Sequence, residues 1–195
     1  MKPGRVGVFV IAMLLATASA FAGHPQKRDG FWFGLGLGYG SAGTSADCDD
    51  CGGDRESGLT GFFKLGGTLS PKVLLGAETN VWFKDEDDVT LTLGSVTGTV
   101  TFYPQAQGGV FLKGGVGFSI VDWSTTIGAT DFSVSKTGWG VMAGIGYDVR
   151  IGSNLSLTPS INYWYGKPGD LDFDDGSLPG WKQNVVSFDL GLTFH

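Results

Sequence analysis

Between Phe31 and Ser41 the chain reads FWFGLGLGYGS, and this stretch narrows its choice of fold more than any other. Phe31, Phe33, Leu35, Leu37 and Tyr39 fall on one face, and Trp32, Gly34, Gly36, Gly38 and Gly40 on the other. Ten residues of strict alternation mark a β-strand. One face is greasy and the other almost bare. A sheet with one wet face would place polar groups opposite the apolar ones. Glycine there implies a crowded interior or a close backbone approach. Glycine supplies 34 of the 195 residues. Each one inside a helix costs up to ~1 kcal/mol, which disfavours helical folds. Glycine at every third position, as collagen needs, is absent. With 14 Phe, 6 Trp and 5 Tyr the chain has ample material for a packed interior.

The pattern recurs. Leu59, Gly61, Phe63, Leu65 and Leu69 oppose Thr60, Phe62, Lys64 and Thr68. After Ser70-Pro71-Lys72, Val73, Leu75, Ala77, Val81 and Phe83 oppose Gly76, Glu78, Asn80 and Trp82. In 89–102 the phase slips near Gly94-Ser95, since Leu91 and Leu93 fit one register and Val96, Val100 and Phe102 the other. A slip of this kind predicts a β-bulge. Val110, Leu112, Val116, Phe118 and Ile120 then oppose Phe111, Lys113, Gly115, Gly117 and Ser119. Val141, Ala143, Ile145, Tyr147 and Val149 oppose Gly140, Met142, Gly144, Gly146 and Asp148. Two strands complete the set, at 155–165 and 185–194.

The eight strands are joined by connections that alternate in length: long at 42–57, 84–88, 122–136 and 166–183, short at 70–72, 104–108 and 152–154. Short turns at one end and long loops at the other are the layout of an outer-membrane barrel. A barrel strand crosses with only ~9–11 residues, every second one apolar. A soluble eight-stranded barrel would turn its apolar face inward, and with this outer face it would aggregate. The expected fold is all-β, an eight-stranded antiparallel up-and-down transmembrane β-barrel over 31–195.

Ahead of it, Lys2 and Arg5, an apolar run from Val6 to Leu15 and Ala20-Phe21-Ala22 have the make-up of a cleaved signal peptide over 1–22. Residues 23–30 would form a short N-terminal segment. The full chain has a formal charge of −6, and no basic patch on which nucleic-acid binding could rest.

These strands resemble the small OmpA/OmpX-type outer-membrane β-barrel family. The most specific piece is Val185 to Phe194, with Leu190, Gly191, Leu192 and Phe194. It is similar to the C-terminal strand read by the barrel-insertion machinery, except that His195 follows Phe194. The resemblance implies residence in the outer membrane, with its lipid, lipopolysaccharide and that machinery as partners.

Four groups of residues are candidates for function. By phase, Lys64, Glu78, Lys113 and Asp189 point into the lumen at a similar count from the short-turn end. Two bases and two acids at one level would pair and plug the barrel, because a lone buried charge is costly. A gated pore or proton path is the alternative. The aromatics Trp32, Phe62, Trp82, Phe111 and Trp164 share the inner face. They either pack against glycine or line a narrow conduit or binding barrel for small hydrophobic solutes. Cys48 and Cys51 sit in the first long loop. In an exported chain a disulfide is the expected state, whereas a zinc site would need two more ligands. Asp170, Asp172, Asp174 and Asp175 precede Gly176 and resemble a cation-binding loop, but the spacing departs from the calcium-loop pattern. No metal or other cofactor is expected. The long loops together hold 15 acids against five bases. Such a face attracts divalent cations or basic partners, and cations could bridge it to lipopolysaccharide.

Catalysis has little to build on. His24 and His195 are the only histidines, and no G-x-S-x-G motif appears. The reading is therefore a non-enzymatic membrane scaffold whose acidic extracellular loops serve surface interaction, adhesion or envelope integrity. A conduit for small solutes is the second reading, and a lipid-modifying enzyme the third.

Overall fold

A computed structural model describes residues 26–47, 53–86, 89–127, 130–173 and 176–195. The signal-peptide segment, Cys48 and Cys51, and Asp174 and Asp175 lie outside the described residues. The strands are β1 Phe31–Ser45, β2 Glu56–Ser70, β3 Val73–Glu86, β4 Val89–Phe102, β5 Val110–Ile127, β6 Thr130–Tyr147, β7 Val149–Arg150, β8 Leu155–Phe173 and β9 Gly176–Phe194. Every neighbouring pair is antiparallel. The spatial order β6-β5-β4-β3-β2-β1-β9-β8-β7 closes on itself through β6–β8. β6 and β7 count as one barrel strand, which makes a closed eight-stranded wall.

Pro159 causes the break between β6 and β7. Gly146 pairs with Ser160 and Val149 with Leu157, so the register runs on unchanged across the gap. Proline has no N–H to give the ladder there. On the other side the ladder with β5 continues, and the Asp148 amide donates to the Gly109 carbonyl, 2.9 Å away.

Two differences from the sequence expectation stand out. First, β4 carries no bulge. Its register against β3 is unbroken from Val73↔Phe102 to Glu86↔Val89, and against β5 from Val89↔Thr125 to Phe102↔Leu112. Leu91 and Leu93 are on the lumen side and pack there with other apolar residues. It is the composition of the two faces that changes along β4, and the backbone phase stays constant. Register shifts occur instead at Thr68/Ser70 and around Gly169 in β8–β9, where φ is +100°.

Second, most of the connections expected as loops are strand. β5 and β6 have 18 residues each, and β8 and β9 have 19, against the ~9–11 needed to cross a bilayer. The excess forms hairpins beyond the membrane. Outside the hydrocarbon no apolar face is required, so the alternation fades while the backbone ladder continues. The first connection narrows to 46–55.

The outward side chains form the apolar band. Leu37 is 75% exposed and Val116 69%. Leu35, Leu65, Leu75, Leu112, Ile145 and Leu190 are all exposed as well. Inside, the apolar residues form two separate clusters. One joins Ala42, Trp82, Leu93, Val121, Met142, Trp164 and Val185, with Leu91, Leu178 and Trp181 against it. The other joins Trp32, Leu74, Tyr103 and Phe111 near the short turns.

Candidate functional site

The lumen between the clusters is polar. Lys113 on β5 reaches across to Glu78 on β3, with Nζ 2.5 Å from Oε1 and both side chains almost wholly buried. Lys64 on β2 is the register partner of Glu78, but no carboxylate lies within ion-pair distance of it among the described residues. Its ammonium sits 5.4–6.0 Å from the ring centres of Trp32, Phe62 and Phe111, a cation–π environment. Asp189 on β9 is held by neutral donors. It accepts from Thr60 Oγ1 and Ser187 Oγ at 2.5 Å and from Asn162 Nδ2 at 2.7 Å.

The four charges lie at a similar depth but do not form one paired group. Gly34 of β1 pairs with Lys64 on one side and Thr193 on the other, while Gly38 pairs with Thr60 and Asp189. Lys64 and Asp189 are thus offset by four residues along β1, about 13 Å of strand. The register climbs from Gly34 through Lys64 and Glu78 round to Thr44 in one circuit, so most of this along-strand offset is the stagger that closure imposes on a level ring.

Lumen glycines are the seats of the large side chains. A Cβ on Gly36 would lie 2.5 Å from the Phe62 ring, and one on Gly191 would meet the same ring at 2.5 Å. Gly66 and Gly76 leave room for Trp32, Gly146 for Phe111, and Gly144 for Lys113. The five inward aromatics are all buried, but they are divided. Trp82 and Trp164 lie in the outer cluster, Trp32 and Phe111 in the inner one, and Phe62 beside the lysines.

A further polar assembly fills the short-turn end. Asp148 is fully buried. It accepts from Tyr103 Oη at 2.8 Å and Thr158 Oγ1 at 2.7 Å. His195 Nε2 lies 3.4 Å from Oδ2 and Arg28 Nη2 3.9 Å from it. Arg28 lies over the Tyr103 ring, 3.4 Å from its centre, and donates to the carbonyls of Ala106 and Gly108. Sequence reasoning placed Asp148 inward but did not join it to Arg28, Arg150 or His195. The one available signal was the concentration of bases around the short turns, with Lys27, Arg28, Lys72 and Arg150 there.

At the opposite end, Lys182 donates to Asp47, and the Asp47 amide to the Pro179 carbonyl at 2.8 Å. These contacts dock the first connection on the β8–β9 hairpin. The Lys182 ammonium holds the Asp47 carboxyl below the usual aspartate range. Asp170 Oδ1 accepts from the Gly180 amide at 2.7 Å, so this member of the acidic run braces its own hairpin. No group of three or more His, Cys, Asp or Glu is placed to hold a metal ion among the described residues. His195 faces Asp148 at the short-turn end, far from the acidic hairpins.

A closed antiparallel barrel with a lipid-compatible outer band and a packed lumen defines an integral outer-membrane β-barrel protein. The chain belongs to the outer membrane protein beta-barrel domain family, whose model matches residues 8–194. No curated protein matches its sequence. Among solved structures it is similar to Ail, the attachment invasion locus protein of Yersinia pestis. The two are 18% identical over 85% of this chain and 99% of that one, with a TM-score of 0.58. Neisserial surface protein A is also similar, at 15% identity over 83% and 96% and a TM-score of 0.55. At these identities the likeness is one of fold.

Proposed function

We propose that this protein is a non-catalytic, non-conducting barrel that anchors acidic β-hairpins at the cell surface for interaction or adhesion. The observation that carries the reading is the filled lumen. An outer apolar cluster, the Lys113–Glu78 pair and an inner cluster succeed one another along the axis. An eight-stranded interior is only wide enough for side chains. Energy spent on filling it fits a scaffold, and the extended hairpins fit display. Ail is titled an attachment invasion locus protein, which accords with surface contact. One of its structures holds the heparin analogue sucrose octasulfate, a polyanion. The outer connections here carry 15 acids against five bases, so the partner fitted by charge is cationic, or anionic lipopolysaccharide bridged by divalent cations.

A conduit for small apolar solutes would use the same aromatics, but the charged belt divides them into two groups. Planar-bilayer recording separates the readings. The scaffold reading expects no stable single-channel steps, together with calcium-dependent retention of lipopolysaccharide that weakens when hairpin acids are neutralised. Stable steps from the purified wild-type barrel would favour the conduit, and turnover of labelled lipopolysaccharide would favour an enzyme.

A further inference from the structure

The segment before β1 crosses the short-turn mouth of the barrel without joining any strand. Gln26 Nε2 donates to the Asp148 carbonyl at 2.8 Å, and Arg150 Nη2 donates to the Lys27 carbonyl at 2.5 Å. Arg28 is 4% exposed. It is fixed by the Tyr103 ring, by the Ala106 and Gly108 carbonyls, and by the charge of Asp148. Its seat is built from the β4–β5 turn and the β6–β7 junction, on the far side of the mouth from the start of β1.

We propose that residues 26–29 are a latch that shuts the short-turn entrance of the lumen, keyed by the Arg28 guanidinium and hinged at Gly30. Three observations make it a latch and not simply a part of the wall. Its hold is side-chain bonding centred on one residue, whereas each wall strand is zipped by a ladder. Gly30, at its junction with β1, has φ +69°, a conformation that side-chain-bearing residues rarely adopt. A Cβ there would meet nothing within 4 Å, so glycine serves the chain direction and not the packing. The seat also lies on the β4–β5 turn and the β6–β7 junction, which β5–β6 pairing brings together and which β1 does not pair with. The latch therefore closes onto a part of the wall that forms without it. When it lifts, the floor residues around Arg150 and Ser156 face the aqueous compartment, while the outer cluster stays shut.

The test uses the full-length barrel with Cys48→Ser and Cys51→Ser, and one reporter cysteine at a time. Ser156→Cys reports the floor, and Ser119→Cys reports the outer half. Ser156 and Ser119 are both fully buried. A small charged thiosulfonate is the probe, and heat-modifiable gel mobility checks that each barrel is folded. With the latch intact, both reporters react slowly. Arg28→Ala and deletion of 26–29 should each raise the floor rate at least tenfold and leave the outer rate unchanged. Gly30→Val should act in the same direction, because it strains the hinge and removes no contact. Arg28→Lys should protect less than arginine, since one ammonium cannot span the ring and both carbonyls. Floor rates unmoved by the deletion in a folded barrel would overturn the proposal. So would an equal rise at Ser119→Cys, which would mean general loosening.

Discussion

Removing one partner of the Lys113–Glu78 pair tests the account of the lumen most directly. At 2.5 Å and an effective dielectric of about 20, the gross attraction is about 7 kcal/mol. Much of it offsets the cost of taking both ions out of water. Glu78→Gln leaves the Lys113 ammonium buried without its carboxylate, and Lys113→Met leaves the carboxylate alone. Each single change should cost about 3–5 kcal/mol. The double variant buries neither charge and should cost no more than either single, a coupling of about 3 kcal/mol or more. Lys64→Met with Asp189→Asn is the control. No ion pair or hydrogen bond joins those two and they have no bonded partner in common, so their costs should add within about 0.5 kcal/mol. Urea unfolding in detergent, followed by tryptophan fluorescence and by heat-modifiable mobility, gives all the values. Additivity at Lys113 and Glu78 would refute the pairing. Strong coupling between Lys64 and Asp189 would refute their separate settings.

Other consequences are as specific. Leu112→Arg or Leu190→Arg, each on the outward face, should cost about 2–4 kcal/mol in a bilayer if near its midplane, measured by urea titration in liposomes. Gly36→Ala or Gly191→Ala should destabilise by about 1–3 kcal/mol through contact with the Phe62 ring and the facing backbone, and Phe62→Leu in the same chain should recover only the part due to the ring. Asp47 titrates below the usual aspartate range because Lys182 bonds its charged form. The docking of the first connection on the β8–β9 hairpin should thus be complete at neutral pH and be lost only in acid, as pH falls through that lowered value. Side-chain carboxyl shifts in an NMR titration check the sign, and a midpoint at or above the ordinary range would contradict it.

The wall was legible in the sequence because lipid imposes a rule on every second residue. Leu35, Leu65, Leu75, Leu112, Ile145 and Leu190 must be apolar, and an alternation sustained through eight segments admits one reading. The same rule explains the errors. Above the membrane it lapses, so β5, β6, β8 and β9 continue through sequence that looks like loop. Inside the outer half of the lumen, apolar residues are packing material. Leu91 and Leu93 of β4 therefore imitate a phase slip, although the backbone keeps its period.

What lay beyond reach was which inward groups at one depth bond to one another. Alternation assigns Lys64, Glu78, Lys113 and Asp189 to the inner face strand by strand, but the stagger between strands is a property of the closed barrel. Lys113 reaches across to Glu78, while Asp189 is held by the neutral donors Thr60, Asn162 and Ser187 and Lys64 by three rings. The floor was hidden for a related reason. Arg28 has no periodic context, since it precedes the first strand, and its seat on Tyr103, Ala106, Gly108 and Asp148 comes from the β4–β5 turn and the β6–β7 junction, which β5–β6 pairing brings together far along the chain from it. A buried guanidinium keyed to backbone carbonyls leaves almost no mark on local sequence. Its mark is in the balance of charge, with Lys27, Arg28, Lys72 and Arg150 outnumbering Asp29 and Asp148 at the short-turn end, and acids outnumbering bases at the other. That asymmetry leaves a net positive end beside the mouth the N-terminal segment must cross.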